Sequence, residues 1–390
     1  MLYITLLDQF HPGIYSSQVI DVCDYLNKKH NAKIRVLAFL SIKELLYTDA
    51  KKRLKKLSPT AIVLPAFPKL RYFKLTSILL FFVCLFTGER IAICRNVFST
   101  IMALKLKKLG LLHKVVLDGR SAMASEIEEY DVFPVDYIRK NIRKFESEAV
   151  LKSDFRIAVS RQLIEYWKKN YGYSSYKHVV IPCNLDSKYF SEENKKIDES
   201  ILSSVKNELG INEKDIVLVY SGSTAPWQSF QLLEKIISPI MENQADLKIL
   251  FLSKENADIS GFKSKYKDKI IIRWLEHKDI LSYLACCDYG ILLREQSETN
   301  KVASPTKFAE YLYAGLPVLI SENLGDFTSF VENNNCGIVL SEKDEKALHR
   351  IKKIDESTSE KCHLLSLTYF KKNSTSNFES YLKLIEFLNS

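Results

Sequence analysis

Short continuous apolar runs alternate with amphipathic stretches along most of the chain. Leu2–Leu7 is the first such run and has the length of a strand; a polar turn follows, Asp8–Tyr15, containing Pro12-Gly13. Ser16 is then placed to cap a helix running to about Lys29. Further β-rich runs are Lys33–Phe39, Ala61–Leu64, Ile91–Cys94, Lys114–Leu117, Phe155–Val159 and His178–Ile181. Helical patterns lie between them, among them Lys74–Phe86, Thr100–Leu109 and Tyr137–Lys152. Strands without polar alternation are buried on both faces, and their regular exchange with helices predicts a parallel sheet covered on both sides.

Leu185–Asp198 is charged, carries no strand pattern and reads as a linker. The alternation then restarts with Ile216–Tyr220, Ser229–Ile237, Leu247–Leu252, Ile270–Trp274, Ile280–Cys287, Tyr289–Leu293, Thr306–Ala314, Val318–Ser321 and Gly337–Val339. The expected fold class is therefore α/β, with two doubly wound domains, residues 1–190 and 191–375. Such sheets bind ligands at the carboxyl ends of their strands, so a substrate is expected in a cleft between the halves. Residues 376–390 hold one more amphipathic helix, Ser376–Leu388, expected to pack back on the first domain although the pattern alone does not locate its docking site.

Composition adds bounds. With 390 residues, 46% hydrophobic and 26% charged, about two ordinary domains with large cores are expected. The eight cysteines form no CxxC or Cys/His cluster, which fits reduced thiols in a cytosol and no structural metal. The start, MLYITLLDQF, lacks a basic region before its apolar run and reads as a strand; Leu75–Phe86 is too short to span a bilayer, so no transmembrane segment is expected. Charge is uneven. Residues 1–190 carry 31 Lys and Arg against 17 Asp and Glu, while the rest carry 25 against 30. Fourteen basic residues and one acid, Glu89, fall between Lys51 and Lys114. That density points to a nearby polyanion: a membrane face, a phosphorylated substrate or a nucleic acid.

The most informative chemistry lies in Ser304–Val318, SPTKFAEYLYAGLPV. Ser304 is an N-cap type, Pro305 suits the first helical position, Phe308, Tyr311 and Leu312 give an apolar face, and Gly315 suits the helix end. The preceding stretch, Arg294–Ala303, reads as a polar loop. Lys307 and Glu310, three apart, share one face near a helix start that favours anions. A lysine there can neutralise a diphosphate, and a carboxylate one turn on can accept hydrogen bonds from a ribose diol. On spacing alone, a capped surface helix with an ordinary Lys–Glu pair stays open.

SPTKFAEYLYAGLPVLIS resembles the nucleotide-binding signature of GT-B glycosyltransferases, in particular the retaining family 4 type, in which a glutamate-bearing helix precedes a Gly-x-Pro-Val turn and strand. Tyr220-Ser221-Gly222-Ser223 resembles the glycine turn opening that family's donor domain. Ile181-Pro182-Cys183-Asn184-Leu185-Asp186 resembles its interdomain passage, and Ser153–Ser160 the strand before it. The resemblance implies two Rossmann-like domains facing each other across a cleft. It implies Glu310 as ribose ligand and backbone approach of Gly222 and Ser223 to the diphosphate. Positive charge would come from Lys307 or Arg294, with Lys301 nearby, and Asn300 and Ser304 join this donor set. Two positions depart from the family. Val302 stands where the first of two glutamates is usual, and Ser223 with Trp227-Gln228 replace the usual Arg and Lys of the glycine-turn segment.

Acceptor specificity is implied to lie in the first domain. His11 and Gln18 of the first loop could touch substrate. Asp118 and Arg120, at the end of a predicted strand and followed by Glu126, could orient an acceptor hydroxyl, act as base or bind phosphate. A structural Asp–Arg pair is equally open, as it is for Arg95-Asn96; His277 reads as structural. The Lys51–Lys74 cluster followed by Leu75–Phe86 has the composition of an interfacial anchor, or of a core helix beside a solvated basic face.

The expectation is a cytoplasmic enzyme, peripheral on the inner face of the plasma membrane. It would transfer a hexose-type sugar from a nucleoside-diphosphate sugar to a saccharide or lipid-linked saccharide, in a bacterial surface polysaccharide such as capsule or O-antigen. The resemblance implies a retaining, metal-independent reaction with no cofactor beyond the sugar-nucleotide co-substrate, and the second half holds no Asp-x-Asp. The alternatives are a non-catalytic sugar-nucleotide-binding partner and a same-fold epimerase. Nucleic acid is not an expected partner, since no motif accompanies the basic stretch.

Overall fold

Seven strands make the first sheet: β1 (Leu2–Leu6), β2 (Arg35–Leu40), β3 (Ile62–Pro65), β4 (Ile91–Arg95), β5 (Lys114–Gly119), β6 (Phe155–Ala158) and β7 (His178–Val180). Six make the second: β8 (Ile216–Ser221), β9 (Leu247–Leu252), β10 (Ile270–Arg273), β11 (Tyr289–Leu292), β12 (Val318–Ser321) and β13 (Gly337–Leu340). The computed structural model describes residues 1–6, 15–132, 135–187, 198–276, 278–342 and 350–390. The chain divides into two units, Met1–Ser187 with Thr375–Ser390, and Lys188–Ser374.

The first sheet runs β3-β2-β1-β4-β5-β6-β7 and the second β10-β9-β8-β11-β12-β13, every pairing parallel. In each, the order reverses beside the first strand, between β1 and β4 and between β8 and β11. Loops leaving two neighbouring strands diverge there, which opens the crevice in which doubly wound sheets hold ligands. The strand cores are Val, Ile, Leu and Phe on both faces, as continuous apolar runs require.

In the first unit one sheet face packs Tyr3, Val36, Ala38, Ile93 and Val116 against Leu26, Leu54 and the C-terminal helix Thr375–Asn389. That helix contributes Tyr381, Leu384, Ile385 and Leu388 to this core. The opposite face carries helix Val97–Lys108, packed on β1, β4 and β5. It begins three residues before the sequence pattern indicates. Asn96 adopts a positive φ of 76° and its side chain accepts from Ser99 N at 3.1 Å, a cap that hydrophobic periodicity does not register. The first helix also differs. Ser16–Ile20 forms a wide π-type turn running into Asp21–His30, with Tyr15 rather than Ser16 at the cap position; the Ser16 hydroxyl donates to Asp186 at 3.2 Å.

Candidate functional site

In the second unit, β8 ends at Ser221 and delivers Gly222 to the crevice with φ +136°, a conformation side chains rarely adopt. The space in front of its Cα is taken by a lysine. A Cβ built on Gly222 would lie 1.5 Å from Lys307 Nζ, so only glycine admits that approach. Lys307 comes from helix Thr306–Tyr313, which follows β11 and ends at Gly315, φ +82°. This helix is pinned by Tyr311, whose hydroxyl accepts from Ser221 N at 2.9 Å and donates to Ile291 O at 3.4 Å. The Tyr311 ring fills the space a side chain at Gly290 would need, 2.3 Å from its Cβ position. One tyrosine thus ties the helix to both strands flanking the reversal. Sequence reading placed Tyr311 on the apolar face; its hydroxyl had no visible partner in the pattern.

The electrostatics follow from that packing. Lys307 Nζ is shielded from solvent, although its stem is half-buried, and it has no hydrogen-bond partner among the described residues. It sits 5.0 Å from the centroid of the Tyr220 ring, a residue of the glycine-turn motif to which the sequence assigns no role. Burial lowers its pKa to about 7, with the Arg294 guanidinium adding to the depression and Glu310 opposing it. Arg294, just past β11, is buried; its N donates to Ser321 Oγ at 3.1 Å and its Nη1 to Asn300 Oδ1 at 3.5 Å. Asn300, also buried, donates in turn to Glu295 O at 3.1 Å, and Glu295 N donates to Ser229 Oγ at 2.9 Å. Two cationic side chains share the mouth of a crevice, and one carries a buried amine that makes no hydrogen bond among the described residues and feels the Glu310 carboxylate only at longer range. A buried amine so placed favours a ligand that brings it an acceptor with negative charge.

The structure therefore gathers Gly222, Arg294, Asn300, Lys307 and, within electrostatic reach of Lys307, Glu310. Ser223 is exposed beside Gly222, with its carbonyl accepting from Tyr220 OH at 2.6 Å. Ser304 is buried but is not the helix cap: Pro305 holds that position with extended ψ of 126°, so the helix starts at Thr306, as the apolar pattern marks, one residue after the start a Ser304 cap implies, and has no side-chain cap. The expected polar loop contains a short helix, Glu298–Lys301, capped by Ser297 Oγ accepting from Asn300 N at 3.1 Å. Val302 closes that turn with its side chain packed away, 2% exposed.

In the first unit, Asp118 near the end of β5 is fully buried. Arg120 Nε lies 2.7 Å from its Oδ1, Arg120 Nη2 donates to Oδ2 at 3.1 Å, and Tyr3 OH donates to Oδ2 as well. Its carboxylate is enclosed by its own neighbours, which is the structural pair rather than an accessible base. Arg120 instead lines a cavity of about 210 Å³ at the carboxyl ends of β4 and β5, with Arg95, Asn96, Glu126 and Trp167. Burial raises the pKa of Glu126, a hydrogen bond from Ser121 opposing it. Gln18 is buried and donates to Asn184 O at 2.9 Å, a structural role in place of substrate contact. His11 and His277 lie outside the described residues.

Comparison with known proteins places this geometry. Residues 243–375 match the family model "Glucosyltransferase 3-like, C-terminal domain", which covers β9 through β13 with Arg294, Lys307 and Glu310. No curated protein sequence matches the chain. Among solved structures, sucrose-phosphate synthase from Thermosynechococcus elongatus is similar at TM-score 0.74 and 13% identity, covering 100% of this chain and 99% of that one. Anabaena HepE in complex with UDP is similar at TM-score 0.71 and 13% identity, over 99% of each chain. A glycosyltransferase from Rickettsia africae is similar at 0.70 and 15% identity, over 100% of this chain and 98% of that one. At these identities the likeness is one of fold: the two Rossmann-like units are those of the GT-B architecture.

Proposed function

We propose that this chain, whose residues 243–375 carry a glucosyltransferase 3-like C-terminal domain on a GT-B fold, is a glycosyltransferase acting on a nucleoside-diphosphate sugar. The observation that carries the reading is Lys307: a buried amine with no hydrogen-bond partner among the described residues, held against a glycine at the strand-order reversal, beside Arg294. A diphosphate supplies charged acceptors for that amine. Its oxygens accept from Lys307 Nζ, from the Arg294 guanidinium and from the N–H of Ser223, the Gly222 N–H being held by Leu252 O at 3.1 Å. Glu310, one turn along the helix, accepts from the ribose hydroxyls. Asn300 holds Arg294 in place.

In the transfer, the bond between the anomeric carbon and the diphosphate oxygen breaks, and charge grows on the leaving group. Lys307 and Arg294 stabilise that charge where it develops, so the reaction runs without a metal. The acceptor hydroxyl attacks from the face the diphosphate leaves, forming the new glycosidic bond as its proton passes to the departing diphosphate oxygen, and the anomeric configuration is retained. The reading extends to a hexose-type donor and a lipid-linked saccharide acceptor in surface polysaccharide synthesis, such as capsule or O-antigen, at the cytoplasmic side of the plasma membrane. The acceptor's sugar is assigned to the first unit, where Arg120, Asn96 and Glu126 line the cavity beside β4 and β5.

A second reading, a sugar-nucleotide-binding partner without turnover, is favoured by the apolar, buried Val302. One experiment separates the two. The protein is incubated with UDP-, GDP-, dTDP- and CMP-sugars, with and without a bacterial membrane extract, and followed for free nucleotide and for sugar in the lipid fraction. Transfer supports the enzyme; binding without turnover in either condition supports the partner; binding of none defeats both.

A further inference from the structure

The crossover from β3 to β4 holds the longest uncharged stretch of the first unit. Helix Thr76–Thr87 buries Ser77, Leu80 and Cys84 against the fold, a normal inner face at helical spacing. Its outer face is apolar too. Leu75 is 43% exposed, Ile78 50%, Phe82 47%, Leu85 54% and Phe86 82%, and the Phe82 and Phe86 rings stack at 6.2 Å. These positions follow the i, i+3, i+4, i+7 rule, so they form one stripe along the helix. Scattered exposed leucines are ordinary; five large side chains in register are not.

The charged residues that lead into the stripe are basic. Lys69 and Arg71 are exposed immediately before it, Arg71 stacked on Tyr72 at 4.4 Å. Lys74 is at the helix start and lies close enough to Lys105, on the neighbouring helix Val97–Lys108, to lower that lysine's pKa behind the effect of burial. The nearest acid in sequence, Glu89, is engaged by the N-terminal ammonium and by Arg35. The stretch Leu70–Thr87 is apolar enough to cross a bilayer, with mean hydropathy 1.6 and 28% of it buried. Topology forbids the crossing. Both ends of the helix are tied to strands of one sheet and its inner face is packed on helix Val97–Lys108.

We propose that this stripe is a membrane-docking surface: helix Thr76–Thr87 lies flat in the interface of an anionic bilayer, with Ile78, Phe82, Leu85 and Phe86 among the acyl chains and Lys69, Arg71 and Lys74 at the headgroups. The occupant follows from the combination. A protein partner would satisfy the apolar stripe, but the basic residues that precede it, Lys69, Arg71 and Lys74, complement a surface of uniform negative charge. The inference also separates two features that the sequence joins. The basic helix Ala50–Leu57 packs Ala50 and Leu54 on the Ile93 face of the sheet, whereas Cys84 neighbours Cys94, which points to the other face. Lys51, Lys52, Lys55 and Lys56 are therefore not part of the docking surface. The proposal stands independently of the chemistry assigned to the second unit.

The test is vesicle flotation of the full chain at 50 mM and 500 mM salt, with phosphatidylcholine alone or with 30% phosphatidylglycerol (the vesicle compositions and salts are about these values). Flotation is expected only with the anionic vesicles at low salt. The double substitution Phe82→Ser/Phe86→Ser, on exposed positions, should abolish it with an unchanged circular-dichroism melt. Arg71→Ala/Lys74→Ala should weaken it on the order of tenfold, and Lys51→Ala/Lys52→Ala/Lys55→Ala/Lys56→Ala should leave it within about twofold. Flotation by the phenylalanine variant, or none by the wild type, overturns the proposal. So does a lipid-free dimer in sedimentation that Phe82→Ser/Phe86→Ser dissolves, which would assign the stripe to a second copy of the chain.

Discussion

Replacing Lys307 by methionine should make the protein more stable and a weaker binder of sugar nucleotide. The side chain keeps its length against Gly222 and the Tyr220 ring but loses its charge. Moving an amine from its usual 10.5 to about 7 corresponds to about 5 kcal/mol against the charged form. That is a ceiling, because the stem is only half-buried and the site can admit water; about 2 kcal/mol is the expected gain, inside the range for replacing buried charge by an apolar group. It should appear as a melting temperature about 4–8 °C higher. The same variant loses one charge–charge contact to a diphosphate, about 4 kcal/mol gross at an effective dielectric of about 20, of which half offsets desolvation. Donor affinity should therefore fall roughly thirtyfold.

The pH dependence has a definite sign. The unfolded chain keeps the Lys307 proton up to about 10.5, the folded chain releases it near 7, so between these values the unfolded state binds more protons and stability rises with pH. Lys307→Met should flatten that rise. Donor binding runs the other way: the diphosphate holds the ammonium form, so wild-type affinity should fall as pH climbs above 7, by up to tenfold per pH unit, with proton uptake in calorimetry. Paired thermal melts and titrations from pH 6.5 to 9 check both. A variant that melts lower than wild type, or binds donor as tightly, would refute the reasoning.

Three further substitutions probe other links. Arg294→Gln removes the second cation and the repulsion that helps to depress Lys307, so donor affinity should drop about tenfold and the pH at which binding declines should move upward. Gly222→Ala places a methyl group 1.5 Å from Lys307 Nζ at φ +136°; it should displace the lysine, lower donor affinity at least tenfold and cost about 1–3 kcal/mol in denaturant unfolding. Asp118→Asn leaves buried Arg120 without its counter-charge and should destabilise the first unit by about 3 kcal/mol, a loss of folding detectable by urea titration before any loss specific to the reaction.

Much of this was legible in the chain, and the boundary is physical. Strands such as Leu247–Leu252 and Val318–Ser321 fall on the residues that the apolar runs mark, because a parallel sheet buried on both faces leaves an unbroken run. The helix with Lys307 and Glu310 was readable for a similar reason, local spacing. Contacts across many residues were not. Gly222 and Lys307 are far apart in sequence, as are Tyr3 and Asp118 or Ser221 and Tyr311, and only strand order brings them together. Local polar bonds also shifted helix starts, at Asn96 and Ser297, where a side-chain cap acts against or without the hydrophobic period. The run from Lys51 to Phe86 reads as one basic-apolar block, yet the crossover at the sheet edge sends its parts to opposite faces.

The central claim is that the crevice beside β8 and β11 is a sugar-nucleotide site built on Lys307 and Glu310. Equilibrium titration of the wild type and of Glu310→Ala with UDP-, GDP-, dTDP- and CMP-sugars tests it most directly, since Glu310 is half-buried on a packed helix and its removal leaves the fold intact. The account predicts that one nucleotide class binds the wild type and that this binding is lost in Glu310→Ala with an unchanged melt. Equal affinity in both proteins, or binding of none by the wild type, would contradict it.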